Sequence, residues 1–142
     1  MHFHKFYKLA RYEREYAHKR LKENGLSDTE YLICMYLHAH GNMSQESISR
    51  GLCTNKTTVA KAVRSLENKS IVSSTQNPDN RRENIVELSA HGREIVDAVR
   101  DLYNEWMEKV TRCLSDEEKQ TFESCLVKML ESATAIDMPS AT

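Results

Sequence analysis

Between Asn55 and Glu67 the apolar residues fall at Val59, Ala62, Val63 and Leu66. That is the i, i+3, i+4, i+7 spacing of a helix with one buried face. Asn55 suits its N-cap, because the side-chain oxygen can accept an orphan N–H of the first turn. At about 100° per residue, Thr57, Lys61 and Arg64 stand opposite the apolar stripe, flanked by Ala60, Ser65 and Asn68. This outward face is small, hydroxylic and basic, and its one acid is Glu67 near the end. Such a face fits between base edges and two phosphate walls. An ordinary solvated helix also carries lysines, so the flanking chain has to decide.

Upstream, Ser44 caps a short helix from Gln45 to about Gly51, with Ile48 inward, and residues 51–54 form the turn into the basic helix. Two short helices so joined make a helix-turn-helix. Downstream the period changes. Residues 71–76 and 84–88 read as strands, and residues 77–83 between them hold turn formers and two arginines, Arg81 and Arg82. A basic-tipped hairpin directly after such a helix is a wing.

The remaining segments are helical. Phe3, Phe6, Tyr7, Ala10, Ala17 and Leu21 recur at helical spacing, and Gly25 is a stop signal. Exposed aromatics on that helix call for a packing partner, and a second subunit is the natural candidate. Ser27-Asp28-Thr29-Glu30 reads as a capping box before residues 31–37, which are apolar all round and expected to be buried on most sides. His38, His40 and Gly41 close that helix. Ser89 caps a helix expected to run from Ala90 to about Cys113, with Ile95, Ala98, Val99, Leu102, Trp106 and Val110 on one face. Ser115 to Glu118 is a second capping box, opening a last helix with Phe122, Cys125, Leu126, Met129 and Leu130 inward. The tail after Ala135 is expected to fray.

The whole chain, at 142 residues with net charge −1, does not advertise a nucleic-acid partner. Its distribution is more telling: residues 1–24 and 55–82 are each net +4, while residues 101–142 are net −5. The four cysteines include no CxxC pair, and there is no leader pattern or run of about 18 apolar residues. A reduced, cytoplasmic protein without membrane association is expected. Two prolines and four glycines fit a mainly α chain with a small β-hairpin wing.

Taken together, Gly25-Leu26-Ser27 with Glu30-Tyr31-Leu32, Met43-Ser44-Gln45-Glu46, Lys56-Thr57-Thr58-Val59, residues 66–72, and Arg81-Arg82 followed by Val86-Glu87-Leu88-Ser89-Ala90-His91-Gly92 resemble the MarR family of winged helix-turn-helix transcription regulators. The resemblance covers about residues 7–98. It implies a winged helix-turn-helix over residues 25–100 and a helical dimerisation region from residues 1–24 and 101–142, intertwined as one unit. It further implies a homodimer on a pseudo-palindromic operator in double-stranded DNA, with a candidate small-molecule effector. Two positions depart from the family's pattern. The family usually has Asp two residues before the wing-tip arginine. An ungapped count puts Asn80 there with Arg82, whereas a loop one residue longer pairs Asp79 with Arg81. The family also usually has Gly where this chain has Ser70.

The expected DNA contacts follow. Thr57, Lys61 and Arg64 are candidates for the major groove, since Lys and Arg commonly read guanine. Lys56, Thr58, Ser44 and Asn55 are candidates for phosphates, or are caps with no partner. Arg81 or Arg82 would enter a narrow A·T-rich minor groove, where negative potential concentrates. Tyr7, Arg11, Tyr31, Met35, His38 and Tyr103 are candidate effector-lining residues, with plain core packing as the competing role. Cys53, beside a positive helix end and Lys56, is the candidate for a thiol-based redox switch. Cys34, Cys113 and Cys125 fall on apolar stripes and read as structural. His38 and His40 are two apart, which supports a zinc site weakly, and no metal or cofactor is assigned. No glycine-rich phosphate loop or nucleophile elbow is present, and no local signature supports a Cys–His hydrolase at Cys53, so an enzyme is not expected. The competing binding function is a winged-helix protein-interaction module, and the cations of the groove helix and wing speak against it.

Overall fold

The structure, a computed structural model, describes residues 3–136. The side chain of Phe3 and the tail from residue 137 lie outside what is described. The chain divides into two units, Met1–Tyr103 and Asn104–Thr142.

In the first unit α1 (Phe3–Glu23), α2 (Asp28–His40), α3 (Gln45–Gly51) and α4 (Lys56–Asn68) precede a hairpin of β2 (Val72–Asn77) and β3 (Asn80–Leu88), followed by α5 (Ala90–Val99). Helix starts are locally written. Ser27, Ser44, Asn55 and Ser89 each accept, through the side chain, the N–H of the residue three further on. Two-residue β1 (Met43–Ser44) pairs antiparallel with β3, giving a sheet of order β1-β3-β2. That strand is too short to show a period of two, so it escapes pattern reading.

Helix ends are equally specified. Leu26 N–H reaches Leu21 O at 2.9 Å and Gly25 N–H reaches Lys22 O at 3.0 Å, closing α1 around Gly25 at φ +71. This is the paired-bond stop that needs a left-handed residue. The same closure ends α4, with Ile71 N–H to Leu66 O and Ser70 N–H to Glu67 O, both 2.9 Å, around Ser70 at φ +59. Ser70 therefore adopts the conformation glycine would supply, and a Cβ there costs free energy. Replacing Ser70 with glycine is expected to stabilise the protein by about 0.5–1 kcal/mol, read as a raised urea midpoint at unchanged m.

The core gathers Leu21, Leu26, Ile33, Cys34, Leu37, Ile48, the four apolar residues of α4, Ile71, Val72, Val86, Leu88, Val96, Val99 and Leu102. Three expectations need correcting. Leu32 is exposed, so α2 is buried on one side rather than all round. On α5 it is Val96 that is buried, whereas Ala98 is exposed. The helix expected from Ala90 to Cys113 is two helices, α5 and α6 (Leu102–Val110). They part at Arg100–Asp101, where the Arg100 guanidinium pairs with Asp97 at 3.3 Å and Asp101 at 3.8 Å, and no glycine or proline marks the place.

In the second unit, α7 (Asp116–Thr134) starts in the expected capping box, with both Ser115–Glu118 bonds present. Its apolar residues are not inward, however. Phe122, Cys125, Leu126, Met129 and Leu130 are exposed in the single chain, Leu130 at 67%. Spacing shows which residues share a face, but not whether this chain covers that face.

Candidate nucleic-acid interface

The candidate groove helix α4 is set by its burial and its entry. Val59, Ala62, Val63 and Leu66 are buried, as the spacing predicts. Thr57, Lys61 and Arg64 are exposed on the other side. The entry turn is tight: Thr54 N–H reaches Ser49 O at 3.1 Å and Cys53 N–H reaches Arg50 O at 3.3 Å. Cys53 sits at φ +51 between them, and the Ser49 hydroxyl donates to Thr54 O. Asn55 Oδ1 then accepts Thr58 N–H at 2.7 Å, opening α4. The lone acid Glu67 is engaged by the Ser74 hydroxyl of β2, which ties the end of α4 to the wing.

The candidate phosphate contacts divide. Lys56 is exposed and lies 3.9 Å from Glu46 of α3. Thr58 and Asn55 are half-buried, and Asn55 is engaged as a cap. Ser44 is buried; its hydroxyl oxygen accepts Ser47 N–H and lies within hydrogen-bond reach of Ser47 Oγ, both at 3.1 Å. Of the two roles open to Ser44, capping is the one its geometry serves.

The wing differs from the loop over residues 77–83 expected from sequence. Strand β3 already begins at Asn80, so Pro78-Asp79 alone turn the hairpin. The register then breaks: Asn77 faces Asn80, but Gln76 faces Asn84. Arg81, Arg82 and Glu83 are the surplus residues of β3, pushed out as a bulge. Side chains hold it. Asn77 Oδ1 accepts Asp79 N–H at 3.0 Å, and Asn77 Nδ2 donates to Glu83 Oε2 at 2.9 Å. Gln76 Nε2 donates to Arg81 O at 2.8 Å, and Asn80 Oδ1 accepts Arg82 N–H at 3.2 Å. Hydrogen bonds from Asn77 and Ser44, with Arg50 nearby, hold the Glu83 carboxyl below the usual range. Both arginines are left exposed. Asn80 thus positions the Arg82 backbone, which an amide oxygen does as well as a carboxylate.

The candidate effector residues are not gathered in one place. Tyr7 and Arg11 flank a surface cleft on α1, where Arg11 Nε meets Glu15 Oε1 at 3.1 Å. His38 lines a different cleft with Leu37, Leu88, Arg93 and Asp97. Tyr31 and Met35 are half-buried against the core, and Tyr103 is exposed. The His40 and Tyr36 rings lie 4.4 Å apart, tilted by 48°, and among the described residues no three His, Cys, Asp or Glu side chains are placed to hold a metal. No helix of the described residues is long and apolar enough to cross a membrane.

The cysteines sort differently from the sequence reading. Only Cys34 is buried; Cys53, Cys113 and Cys125 are exposed, Cys125 on the uncovered stripe of α7 and Cys113 in the turn past the end of α6 rather than on a stripe. Burial, with Glu30 adding to it, pushes the Cys34 thiol up to about 12. An unfolded chain releases that proton near 9, so between those values the folded state holds one more proton and stability falls as pH rises. The expected contribution is about 1.4 kcal/mol in total between about pH 8 and about pH 10, measured as the difference between parent and Cys34→Ala in urea unfolding at those two values.

Sequence reasoning missed Glu30. Ser27 accepts Glu30 N–H at 3.2 Å, but the Glu30 side chain turns away from the cap and pairs with Lys69 at 2.7 Å. The signal that misled is the capping spacing itself, which is satisfied by the backbone half alone.

Comparison with known proteins agrees with this geometry. The MarR family model matches residues 26–84. The HTH-type transcriptional regulator BilQ of Clostridioides difficile (strain CD3) is 21% identical over 122 residues, covering 86% of this chain and 82% of the relative. The fold of MepR of S. aureus, solved as a complex with DNA, superposes with a TM-score of 0.84 at 22% identity, covering 93% of this chain and 98% of that one. BpsR of Bordetella bronchiseptica, whose DNA binding is regulated by 6-hydroxynicotinic acid, superposes with a TM-score of 0.78 at 17% identity, covering 89% of this chain and 96% of that one. Residues 26–84, which hold the helix-turn-helix and most of the wing, match the MarR family model, and the chain has the winged-helix fold of these solved structures.

Proposed function

We propose that the chain is a cytoplasmic, homodimeric, sequence-specific DNA-binding transcription regulator, a repressor released by a small-molecule effector, and not an enzyme. The observation that carries the reading is the exposed, basic face of Thr57, Lys61 and Arg64 beside a wing that leaves Arg81 and Arg82 free of ion pairs among the described residues. Lys61 and Arg64 reach base edges, with Thr57 beside them. Lys56 and Thr58 meet phosphates, while Ser44 and Asn55 present the helix starts. Arg82 enters the minor groove and Arg81 lies against its wall. Two copies on one operator place their groove helices about 34 Å apart, one DNA turn.

Support for the dimer comes from the apolar residues uncovered on α1 (Phe6, Tyr7, Leu9, Tyr12) and α7. Residues 1–24 and 101–142 are assigned to that association, and residues 25–100 to DNA. Likeness to the DNA-bound MepR and to the ligand-regulated BpsR supports the partners proposed. The effector is assigned to the surfaces bearing Tyr7, Arg11, Tyr31, Met35, His38 and Tyr103. It acts by binding a spacing of the two groove helices that misfits DNA better than one that fits.

The test is selection from random DNA at low salt. A pseudo-palindrome is the expected product. Arg64→Ala should then relax preference inside the half-site, at a cost of about 1–3 kcal/mol. Arg82→Ala should weaken binding chiefly where the flanks are A·T-rich. Enrichment of no sequence would replace the regulator with the protein-interaction module.

A further inference from the structure

Glu30 is a buried acid whose carboxylate has two partners, both at the end of α4. Its side chain is 8% exposed. Oε2 accepts from Lys69 Nζ at 2.7 Å, and Oε1 accepts from the Ser65 hydroxyl at 3.1 Å. Lys69 Nζ donates also to Gly25 O, at 2.7 Å. Ser65 and Lys69 lie one turn apart at the end of α4. Gly25 is the left-handed residue that closes α1, and Glu30 belongs to the first turn of α2. One carboxylate and one ammonium therefore fasten the end of the groove helix to the corner between α1 and α2.

We propose that Glu30 is the positioning residue of the groove helix, fixing the rotation of α4 on that corner through Ser65 and Lys69. The proposal rests on the reading of α4 as the helix that meets DNA. The apolar contacts of Val59, Ala62, Val63 and Leu66 hold α4 down, but burial has no direction, and a helix can roll on a greasy face. Hydrogen bonds have direction, so a carboxylate gripping two successive turns fixes the roll. Arg64 and Lys61 project from the same helix, and their reach to base edges depends on that angle. Breaking a buried pair by removing one partner leaves the other uncompensated, so the link is not replaced by slack packing.

The charge makes the test discriminating. Removing an acid from a DNA-binding domain should strengthen binding if only the field mattered. Positioning requires the opposite sign. With the full chain and the DNA selected for the parent, Glu30→Gln is expected to bind about tenfold more weakly and to discriminate less against an altered half-site, with the salt slope unchanged. Lys69→Met should do the same. Ser65→Ala, which removes one hydrogen bond and leaves the ion pair, should show a smaller loss in the same direction, and it serves if the charge variants fold poorly.

Amide exchange read without DNA supplies the second measurement. Glu30→Gln should speed exchange at Leu66 to Ser70 about tenfold while α3 is unaffected. Equal or tighter DNA binding by Glu30→Gln and Ser65→Ala would overturn the proposal. So would a salt slope lowered by about one in Lys69→Met, which would make Lys69 a phosphate contact. If the parent selects no DNA, the regulator reading fails by itself, and the exchange decides the fastening: faster exchange at Leu66 to Ser70 supports it, unchanged exchange overturns it.

Discussion

Replacing Gly92 with alanine is expected to destabilise the protein by about 3 kcal/mol or more, enough to unfold a chain of ordinary stability on modest warming. Gly92 is buried in the first turn of α5, and a Cβ there would stand 2.0 Å from Ile71 O. That oxygen is backbone and cannot swing aside. It also accepts Ser89 N–H at 3.0 Å, and the Ser89 hydroxyl lies 2.6 Å from Ser70 O and 3.0 Å from Ile71 O. Relieving the clash by lifting α5 would strip those bonds as well, each worth about 1 kcal/mol. Gly51→Ala is the matched control. Its added Cβ would stand 2.1 Å from the Tyr36 hydroxyl and 2.2 Å from Cζ, so the ring must swing aside, but none of the three nearest atoms is backbone, and the expected loss is smaller than for Gly92→Ala. Thermal and urea unfolding of the two variants should separate them, and a Gly92→Ala protein with the parent's midpoint would refute the close approach.

The double variant Leu126→Glu, Leu130→Glu is expected to be monomeric at micromolar concentration and to bind selected DNA about a thousandfold more weakly. Both leucines are exposed in the single chain, at 37% and 67%, so glutamates there should cost little folding free energy. In a dimer the same positions place four acids where apolar area should be buried. The loss on DNA follows from linkage: in a dimer the second half-site is met at high effective concentration, an advantage of about 10²–10⁴ that a monomer forfeits. Sedimentation of parent and variant, each with and without DNA, checks both halves. A parent that sediments as one chain and still binds a palindrome tightly would refute the assignment of α7 to association.

Much of this fold could be read from residue order, for reasons that differ by element. The four inward residues of α4 fell where a period of 3.6 put them, because a two-sided helix leaves few alternatives. Ser27, Ser44, Asn55, Ser89 and Ser115 were legible as caps because capping is a matter of three residues. Glu30 was not, since its partner Lys69 lies 39 residues away and the capping spacing offered a nearer explanation. The bulge at Arg81 to Glu83 was hidden in a stretch whose turn formers satisfied the expectation of a loop. The stripe on α7 was found correctly as a stripe, but its direction depends on what lies opposite, which one chain's periodicity does not encode.

The paired backbone bonds that end α1, α3 and α4 limit where the chain can change length. Each closure counts residues: a bond spanning five positions and another spanning three fit only if nothing is added between them. An inserted residue in any of those three corners would have to dissolve a helix end. The tip at Pro78-Asp79 lies beyond the last regular pair of the hairpin, so extra residues there displace no core side chain. Relatives that differ in length, and epitopes or reporters grafted by design, should therefore find their room in the wing tip rather than around the groove helix.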